Sequence, residues 1–468
     1  MFVKGSVVIV FATSLVATSL ASTYYASPTG GGDGRSQSSP FQIADFWQQA
    51  KPGDALLLLD GKYTGDRSMI RPPQGLHGAP KQPITVKALH DGRVEIDGEN
   101  RRKTVLLYHN DYFVLEGFNV HSAGGGRDNA TAVELSRSHH NIVRRVCAWD
   151  AQDSNTEIFG THNAEHNLFE DCAGWGIARK IFQNSQGGNY TTYRRCWGRW
   201  EGCHAVGPKM TYSCFYNSYH IVLENCIGTW DAGKMRETYV LLGYDGQPFA
   251  KPGSERYGSP LTLTNHAVDQ PYGVFSADNY NRTMPTDGPY LFGCIAYLLP
   301  DQRVSQLGAG LFGIGWGNGR HAGYIENCLA YHHPSIHTVV GRPFALFEFR
   351  GRNLTAVGGT QPVQFSKSAI EGVCESRDGR EIVEKSGHLL ATPGGATILY
   401  RYENGKLTDR PLWPWPMNQR ILDAMKLAGY ANPVDVTKTV FELAGGRIPN
   451  WEMKRNAPQP PAVSVRPK

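Results

Sequence analysis

Apolar and polar positions along this chain do not follow a helical period over most of its length. Short strand-favouring runs of four to six residues alternate with turns rich in Gly, Asn, Asp and Ser, and between 138 and 230 one such unit is written four times. It reads His140-Asn-Ile-Val-Arg-Arg-Val-Cys147-Ala-Trp149, His166-Asn-Leu-Phe-Glu-Asp-Cys172-Ala-Gly-Trp175, Asn189-Tyr-Thr-Thr-Tyr-Arg-Arg-Cys196-Trp197 and His220-Ile-Val-Leu-Glu-Asn-Cys226-Ile-Gly-Thr-Trp230. The cysteines fall 25, 24 and 30 residues apart, and two later copies end in Cys294 and Cys328. No window in the repeat has helical periodicity, which excludes helical repeats. A unit of about 22–25 residues holding three short strands is one coil of a right-handed parallel β-helix. Equivalent side chains then stack about 4.8 Å apart. Cys147, Cys172, Cys196, Cys226, Cys294 and Cys328 are accordingly expected to form one inward ladder.

The flanking patterns extend this picture. Before the repeat, strand-like runs occur at 55–59, 84–88, 94–98, 113–118 and 132–135, and a helical stretch at 43–50. The 68-residue gap between Cys226 and Cys294 leaves room for one or two further coils plus a Gly/Pro/Asn-rich excursion around 243–260 and 278–289. After Asn353 the phrase fades. A strand at 396–402 turns at Asn404-Gly405, a hairpin signal, and helices are expected at 417–431 and 434–444 with apolar spacing at Ile421, Met425 and Leu427. The expected organisation is a signal peptide at 1–21, the β-helix at 22–375, a C-terminal packing segment at 376–458 and a loose tail at 459–468. A solenoid grows in one dimension, so 468 residues need not be split into several globular domains.

Composition agrees with a turn-rich all-β chain, with 53 glycines and 19% charged residues. A formal charge of +5 is small for this length and argues against a nucleic-acid binder, while leaving room for a locally basic groove facing an acidic polymer. Lys4, the apolar run 7–20 and the small-x-small ending at Ala21 predict a secretory signal, hence a secreted protein, extracellular or periplasmic, with no membrane segment after cleavage. Nine cysteines in an exported chain raise the question of disulfides. Stacked parallel side chains seldom reach the bridging torsion, so buried thiols are expected, with Cys203 and Cys214, off the ladder, as the pair best suited to bridge.

Tyr24-Tyr25-Ala26-Ser27-Pro28-Thr29-Gly30, Lys51-Pro52-Gly53-Asp54 leading into Ala55-Leu-Leu-Leu-Leu59, and Val94-Glu-Ile-Asp-Gly98 form an opening that resembles the pectate-lyase-like superfamily of parallel β-helix proteins. The resemblance runs over most of 23–363. It implies that the early helix plugs the open end of the first coil, and that the strand before each Asn/His phrase builds the sheet on which sugar chains lie. The counterparts are 132–135, 156–159, 178–182, 204–209 and 236–241. Alternation along them offers Glu134, Glu157, Arg179 or Lys180, His204, Lys209, and Arg236 or Glu237 on successive turns, flanked by Trp175, Trp197, Trp200, Tyr212, Tyr216 and Tyr219. Cations would meet carboxylates and rings would stack on sugar faces. The competing reading is a solvated face with aromatics in outer turns.

The leading expectation is C5-proton abstraction from a uronate of an acidic polysaccharide, by a lyase or an epimerase: either must remove a feebly acidic C5 proton after the carboxylate has been neutralised, by calcium or by Arg/Lys, and needs a Lys, Arg, Tyr or His as base. Calcium-dependent lyases of the superfamily carry a motif like Ala-Asp-Gly-Phe-x-x-Lys followed one coil later by Asp-Asp-Gly-Trp-Asp. The best overlay here is His204-Ala-Val-Gly-Pro-Lys209, then Thr229-Trp-Asp231-Ala-Gly233. The lysine matches, but the first aspartate falls on Ala205 and the acidic cluster shrinks to Asp231, the one residue left for a calcium site. The expected catalytic residues are therefore Lys209, Tyr212 and Arg236, with Glu157, Arg179, Lys180, Trp200 and His204 contacting an acidic polysaccharide. No cofactor is required on this reading, and a calcium requirement stays open. A monomer is expected. Two alternatives remain: a polysaccharide-binding or cell-surface protein without catalysis, and a glycoside hydrolase using Asp150, Asp153, Glu157 or Asp171. His162-x-x-x-His166 would suit zinc only on a helix, and this segment reads as strand and turn.

Overall fold

In the computed structural model, the described residues are 21–125, 130–152, 155–203, 209–231, 273–278, 287–300, 310–314, 323–335, 341–380, 392 and 399–444. They form a right-handed parallel β-helix with three sheets. The first sheet runs through Ile84–Ala88, Phe113–Glu116, Ile142–Arg144, Leu168–Glu170, Thr192–Arg194, Val222–Glu224 and Tyr290–Phe292. The second includes Asn119–His121, Cys147–Trp149, Ala173–Gly176, Trp197–Trp200, Ile227–Trp230 and Ile295–Leu298. The third includes Val133–Ser136, Glu157–His162, Lys180–Ser185, Met210–Phe215, Gly273–Asp278, Gly310–Ile314 and Arg342–Phe347. Val222–Glu224 pairs directly with Tyr290–Phe292, so the gap between Cys226 and Cys294 holds no additional coil.

The corners between sheets are built from residues in the left-handed backbone region. One column of them links the first and second sheets: Arg145, Asp171, Arg195, Asn225, Gly293 and Asn327, with φ between 50° and 61°. A second column precedes the first sheet: Tyr112, His140, His166, Tyr190 and His220. Its rings stack in series, His140 on His166 at 4.9 Å and His166 on Tyr190 at 4.7 Å. This is what the recurring His/Asn phrase encodes. The imidazole marks the bend, and the following Asn141 and Asn167 are buried and hydrogen-bonded from coil to coil.

Inside the coil, aromatic side chains of the third sheet stack in register: Phe159, Phe182, Tyr212, Phe275, Phe312 and Phe344 at 4.7–4.9 Å. They face a column of small residues on the second sheet, Ala148, Gly174, Gly198, Gly228, Ala296 and Ala330. Beside them runs the thiol ladder Cys172, Cys196, Cys226, Cys294 and Cys328, each Sγ 3.3–3.9 Å from a carbonyl of the preceding coil. Cys147 is not on it. In register it pairs with Ala173, so the ladder position in its coil is Val146, and Cys147 lies on the outer face of the second sheet. A one-residue slip moves a side chain to the opposite face. All nine cysteines are thiols, including Cys203 and Cys214, the pair best suited to bridge.

The C-terminal segment covers that outer face. Trp149, Trp175, Trp197, Ile227 and Ile295 are buried beneath Trp413, Trp415, Met417, Ile421, Met425, Val436 and Val440. The helices are shorter than expected, Asn418–Leu427 and Val436–Leu443, and Leu427 is 51% exposed while Ala424 takes the buried position. The hairpin Tyr400–Glu403 with Lys406–Pro411 turns at Asn404-Gly405 as expected. It hydrogen-bonds through Tyr402 to Asn225. The early helix spans only Ile43–Phe46, with Ile43 and Phe46 buried.

Candidate functional site

The outer face of the first sheet cannot serve as a cationic trough. Its central column alternates in sign, Lys87, Glu116, Arg144, Glu170, Arg194 and Glu224, with neighbouring side chains paired at 2.6–3.9 Å. The outer face of the second sheet is covered. The third sheet holds what remains.

There, Glu157 and Lys180 are in-register partners on adjacent strands, Nζ 4.0 Å from Oε1. The other carboxylate oxygen of Glu157 accepts the Thr131 hydroxyl at 2.7 Å and lies 3.7 Å from His162 Nε2. The second ring nitrogen of His162 engages Ser185 Oγ at 2.7 Å. Residue exposures are 2% for Glu157, 3% for Lys180 and 8% for His162. Glu134 stands one coil away, ion-paired with Lys103 at 2.9 Å. The Phe215 ring lies 5.6 Å from Lys180 Nζ.

Burial in the absence of an intimate counter-ion, reinforced by the Arg179 charge, brings the Lys180 ammonium down to about 7 even though Glu157 acts the other way. Burial would raise Glu157, but the His162 ring, Lys180 and the Thr131 hydroxyl outweigh it and hold the carboxyl at about 2. Burial likewise disfavours the imidazolium of His162, and Glu157 with Glu134 overcomes that, so the ring holds its proton above the ordinary histidine value. The trio therefore combines a lysine that is readily neutral near pH 7 with a histidine that keeps its proton to higher pH than usual, joined through one carboxylate.

Several expected site residues lie elsewhere. Tyr212 is inside the aromatic ladder, its hydroxyl near the carbonyls of Cys196 and Ile227 at 2.9 and 3.1 Å, with burial pushing its ionisation well up; it cannot reach a substrate as a base. Trp200 is fully buried in the core and donates its indole N–H to Ala178 O at 2.8 Å, so it is no sugar platform. Trp175 and Trp197 are closed off under the C-terminal segment. Asp231 follows a strand of the second sheet, in the field of Arg199. Lys209 is buried one residue before Met210, the in-register partner of Lys180. Arg179 is partly exposed and bonds Asn155. Glu134 stacks on Gly160 rather than Glu157, so the expected column of acids and bases is split over two positions. His204 and Arg236 lie outside the described residues. The hydrolase carboxylates do not converge: Asp171 is clamped by Arg195 at 2.7 Å and Asp150 caps the backbone of Ile177 at 3.0 Å. Asp153 is outside the described residues.

His162 is the residue that strand alternation missed. Ile158 and Phe159 both point into the core, as do Ile181 and Phe182, so the strand kinks after its first residue and Glu157 and His162, five apart, share the outer face. Two large apolar residues in succession inside an otherwise alternating strand are the signal of that kink.

Glu95, Asp97 and His121 also converge, their ligand atoms within 4.8 Å of one another. Lys62 already bridges both carboxylates at 2.8 and 2.9 Å, and His121 donates toward Glu95 at 2.8 Å. The negative charge a metal would answer is met by side chains.

The fold and this cluster define a right-handed parallel β-helix with a buried acid–base group on one sheet. No protein-family model matches the chain, and no curated protein does. Solved structures similar to it include pectate lyase Pel9A, at 14% identity over 76% of this chain and 80% of that one, with a TM-score of 0.45. A rhamnogalacturonan lyase matches at 14% identity over 84% and 96% of the two chains, TM-score 0.48. The family PL6 polysaccharide lyase Pedsa3628 from Pseudopedobacter saltans matches at 14% identity over 67% and 61%, TM-score 0.43.

Proposed function

We propose that this chain is a secreted carbohydrate-active enzyme that removes the C5 proton of a uronate in an acidic polysaccharide, with Lys180 as the base. The observation that carries the reading is Lys180 itself: an amine 3% exposed, 4.0 Å from one carboxylate and held at about 7. A base is most useful when its pKa lies near the working pH. Arg179, which already lowers Lys180, and Lys209 at the start of the next strand are the cations that would neutralise the substrate carboxylate, in place of calcium. Lys180 replaces Lys209 and Tyr212 in the base role because it alone is paired in register with Glu157.

The test is a panel of uronate polymers incubated with the protein, with and without chelator, read by ultraviolet absorbance of the new C4=C5 double bond and by exchange of the C5 hydrogen in D2O. Lys180→Met should abolish both. Wild-type protein that yields neither signal on any polymer overturns the reading. Reducing ends without unsaturation would identify a hydrolase, and retardation in affinity gels without turnover a binding protein.

A further inference from the structure

Among the described residues of the third sheet, two buried side-chain atoms lack a hydrogen-bond partner, and their residues neighbour one glycine. His162 Nε2 is 3.7 Å from the nearest carboxylate oxygen, beyond hydrogen-bonding distance, and Gln183 Oε1 has no partner although Gln183 is 3% exposed. Gly160 neighbours both residues: it lies two positions before His162 on the same strand and is in register with Gln183 on one adjacent strand and Glu134 on the other. A Cβ placed there would stand 3.1 Å from His162 Nε2, 3.2 Å from Thr131 Cγ2 and 3.5 Å from Glu157 Oε2, so the cluster packs directly against the backbone of this glycine and a side chain there would crowd it. Buried polar groups are nearly always satisfied, and two neighbouring orphans on one sheet point to a ligand that satisfies them.

Resting on the reading of Lys180 as base, we infer that His162 is the acid that protonates the departing O4, that Gln183 holds a hydroxyl of the same sugar, and that the substrate is a 1,4-linked D-mannuronate or D-glucuronate polymer. The argument is stereochemical. Lys180 and His162 flank the two oxygens of one carboxylate on one face of one sheet, so they meet the sugar from the same side. The C5–H bond gives its proton to Nζ and its electron pair becomes the C4=C5 bond. The C4–O4 bond breaks, and O4 takes the proton from Nε2. One chain end leaves as a 4,5-unsaturated uronate, the other with a free hydroxyl. Removal of both groups from one side requires C5–H and C4–O4 on the same ring face, as in D-mannuronate and D-glucuronate. In D-galacturonate and L-guluronate they lie on opposite faces. The proton that Glu157 and Glu134 keep on His162 is the one the reaction spends.

The experiment compares wild type and His162→Gln on polymannuronate, a 1,4-linked glucuronate polymer, polygalacturonate and polyguluronate, following unsaturation and C5 exchange in D2O. Wild type should cleave the first two and leave the others essentially intact. His162→Gln should lose about 100-fold in unsaturated product, the usual scale for a general acid, while keeping C5 exchange, which also reports that the variant is folded. Equal or faster cleavage of polygalacturonate or polyguluronate overturns the inference, as does a variant whose exchange and cleavage fall together or do not change. Loss of both signals in Lys180→Met, beside loss of unsaturation alone in His162→Gln, supports separate base and acid roles for the two residues. A wild type that does neither reaction overturns the base assignment and this inference with it.

Discussion

The ring of Tyr212 lies against the backbone of Gly228, so close that a Cβ on the glycine would stand 3.2 Å from the ring edge and 2.3 Å from Val274 Cγ1. The relationship repeats at Gly198 with Phe182 and at Gly174 with Phe159. Stacked aromatics on one sheet thus require a column without side chains on the sheet facing them. Gly228→Val should destabilise the protein by about 1–3 kcal/mol, the usual cost of overpacking. Tyr212→Phe keeps the stack and removes one hydroxyl bond, so it should cost about 1 kcal/mol and leave turnover of the uronate polymer unchanged. Denaturant unfolding and the unsaturation assay check the pair, and loss of turnover in Tyr212→Phe with stability intact would return Tyr212 to the active site.

The pH dependence of activity follows from the three-residue cluster. Turnover needs neutral Lys180 and protonated His162, so the profile should rise through about pH 7 and fall where the histidine loses its proton, above the ordinary value. The two limbs are properties of the coupled group. Glu157→Gln removes the charge that raises both residues, so both limbs should move to lower pH, which a profile of kcat/KM would register.

The same residues give stability terms that both rise with pH, in two separate windows. Lys180 is lowered, so the unfolded chain binds more protons between about 7 and 10.5 and stability should rise with pH across that window. Glu157 is lowered, so its contribution is present above 4.5 and is lost as pH falls toward about 2. Lys180→Met should flatten the alkaline rise in a pH series of denaturant midpoints.

How far the fold could be read from sequence differs by element. The period was legible because each corner demands a left-handed residue, and His140, His166, Asp171 and Asn225 recur where the backbone turns. Aligning the phrases on His-Asn instead of on cysteine would have placed Val146, not Cys147, on the ladder. The cluster was half legible. Glu157 and Lys180 stand out as charges in a strand pattern, but strict alternation hides His162 behind the kink at Ile158 and Phe159. What the C-terminal segment covers was not legible at all. Arg420 reaches Asn119 across 301 residues, and nothing local marks Trp175 and Trp197 as destined for that contact rather than for sugar.

That docking is itself testable. Arg420 is buried, hydrogen-bonded to Asp91 Oδ1 and to Asn119 Oδ1, each at 3.0 Å. Arg420→Ala leaves a carboxylate that Arg145 still pairs, so it should be mildly destabilising, while Trp197→Ala opens a cavity under the segment and should cost about 3–5 kcal/mol. Neither residue touches the third sheet's cluster, and both variants should keep wild-type turnover below their unfolding midpoints. A Trp197→Ala protein as stable as wild type would mean that the segment does not pack there.

The thiol ladder should be chemically silent. Cys172, Cys196, Cys226, Cys294 and Cys328 are buried, and the first four are raised well above the ordinary thiol value, chiefly by desolvation. Only the thiolate reacts readily, so both access and ionisation protect them. Off the ladder, burial pushes Cys147 up to about 11 and Cys214 up to about 12. Brief alkylation of native protein, read by mass spectrometry of peptides, should therefore label partly exposed Cys374 and leave the five ladder positions unmodified. In denaturant all nine should be labelled. Labelling of Cys196 or Cys226 at the rate of Cys374 under native conditions would mean that the coils part on the timescale of the reaction and that these side chains do not form a closed internal column.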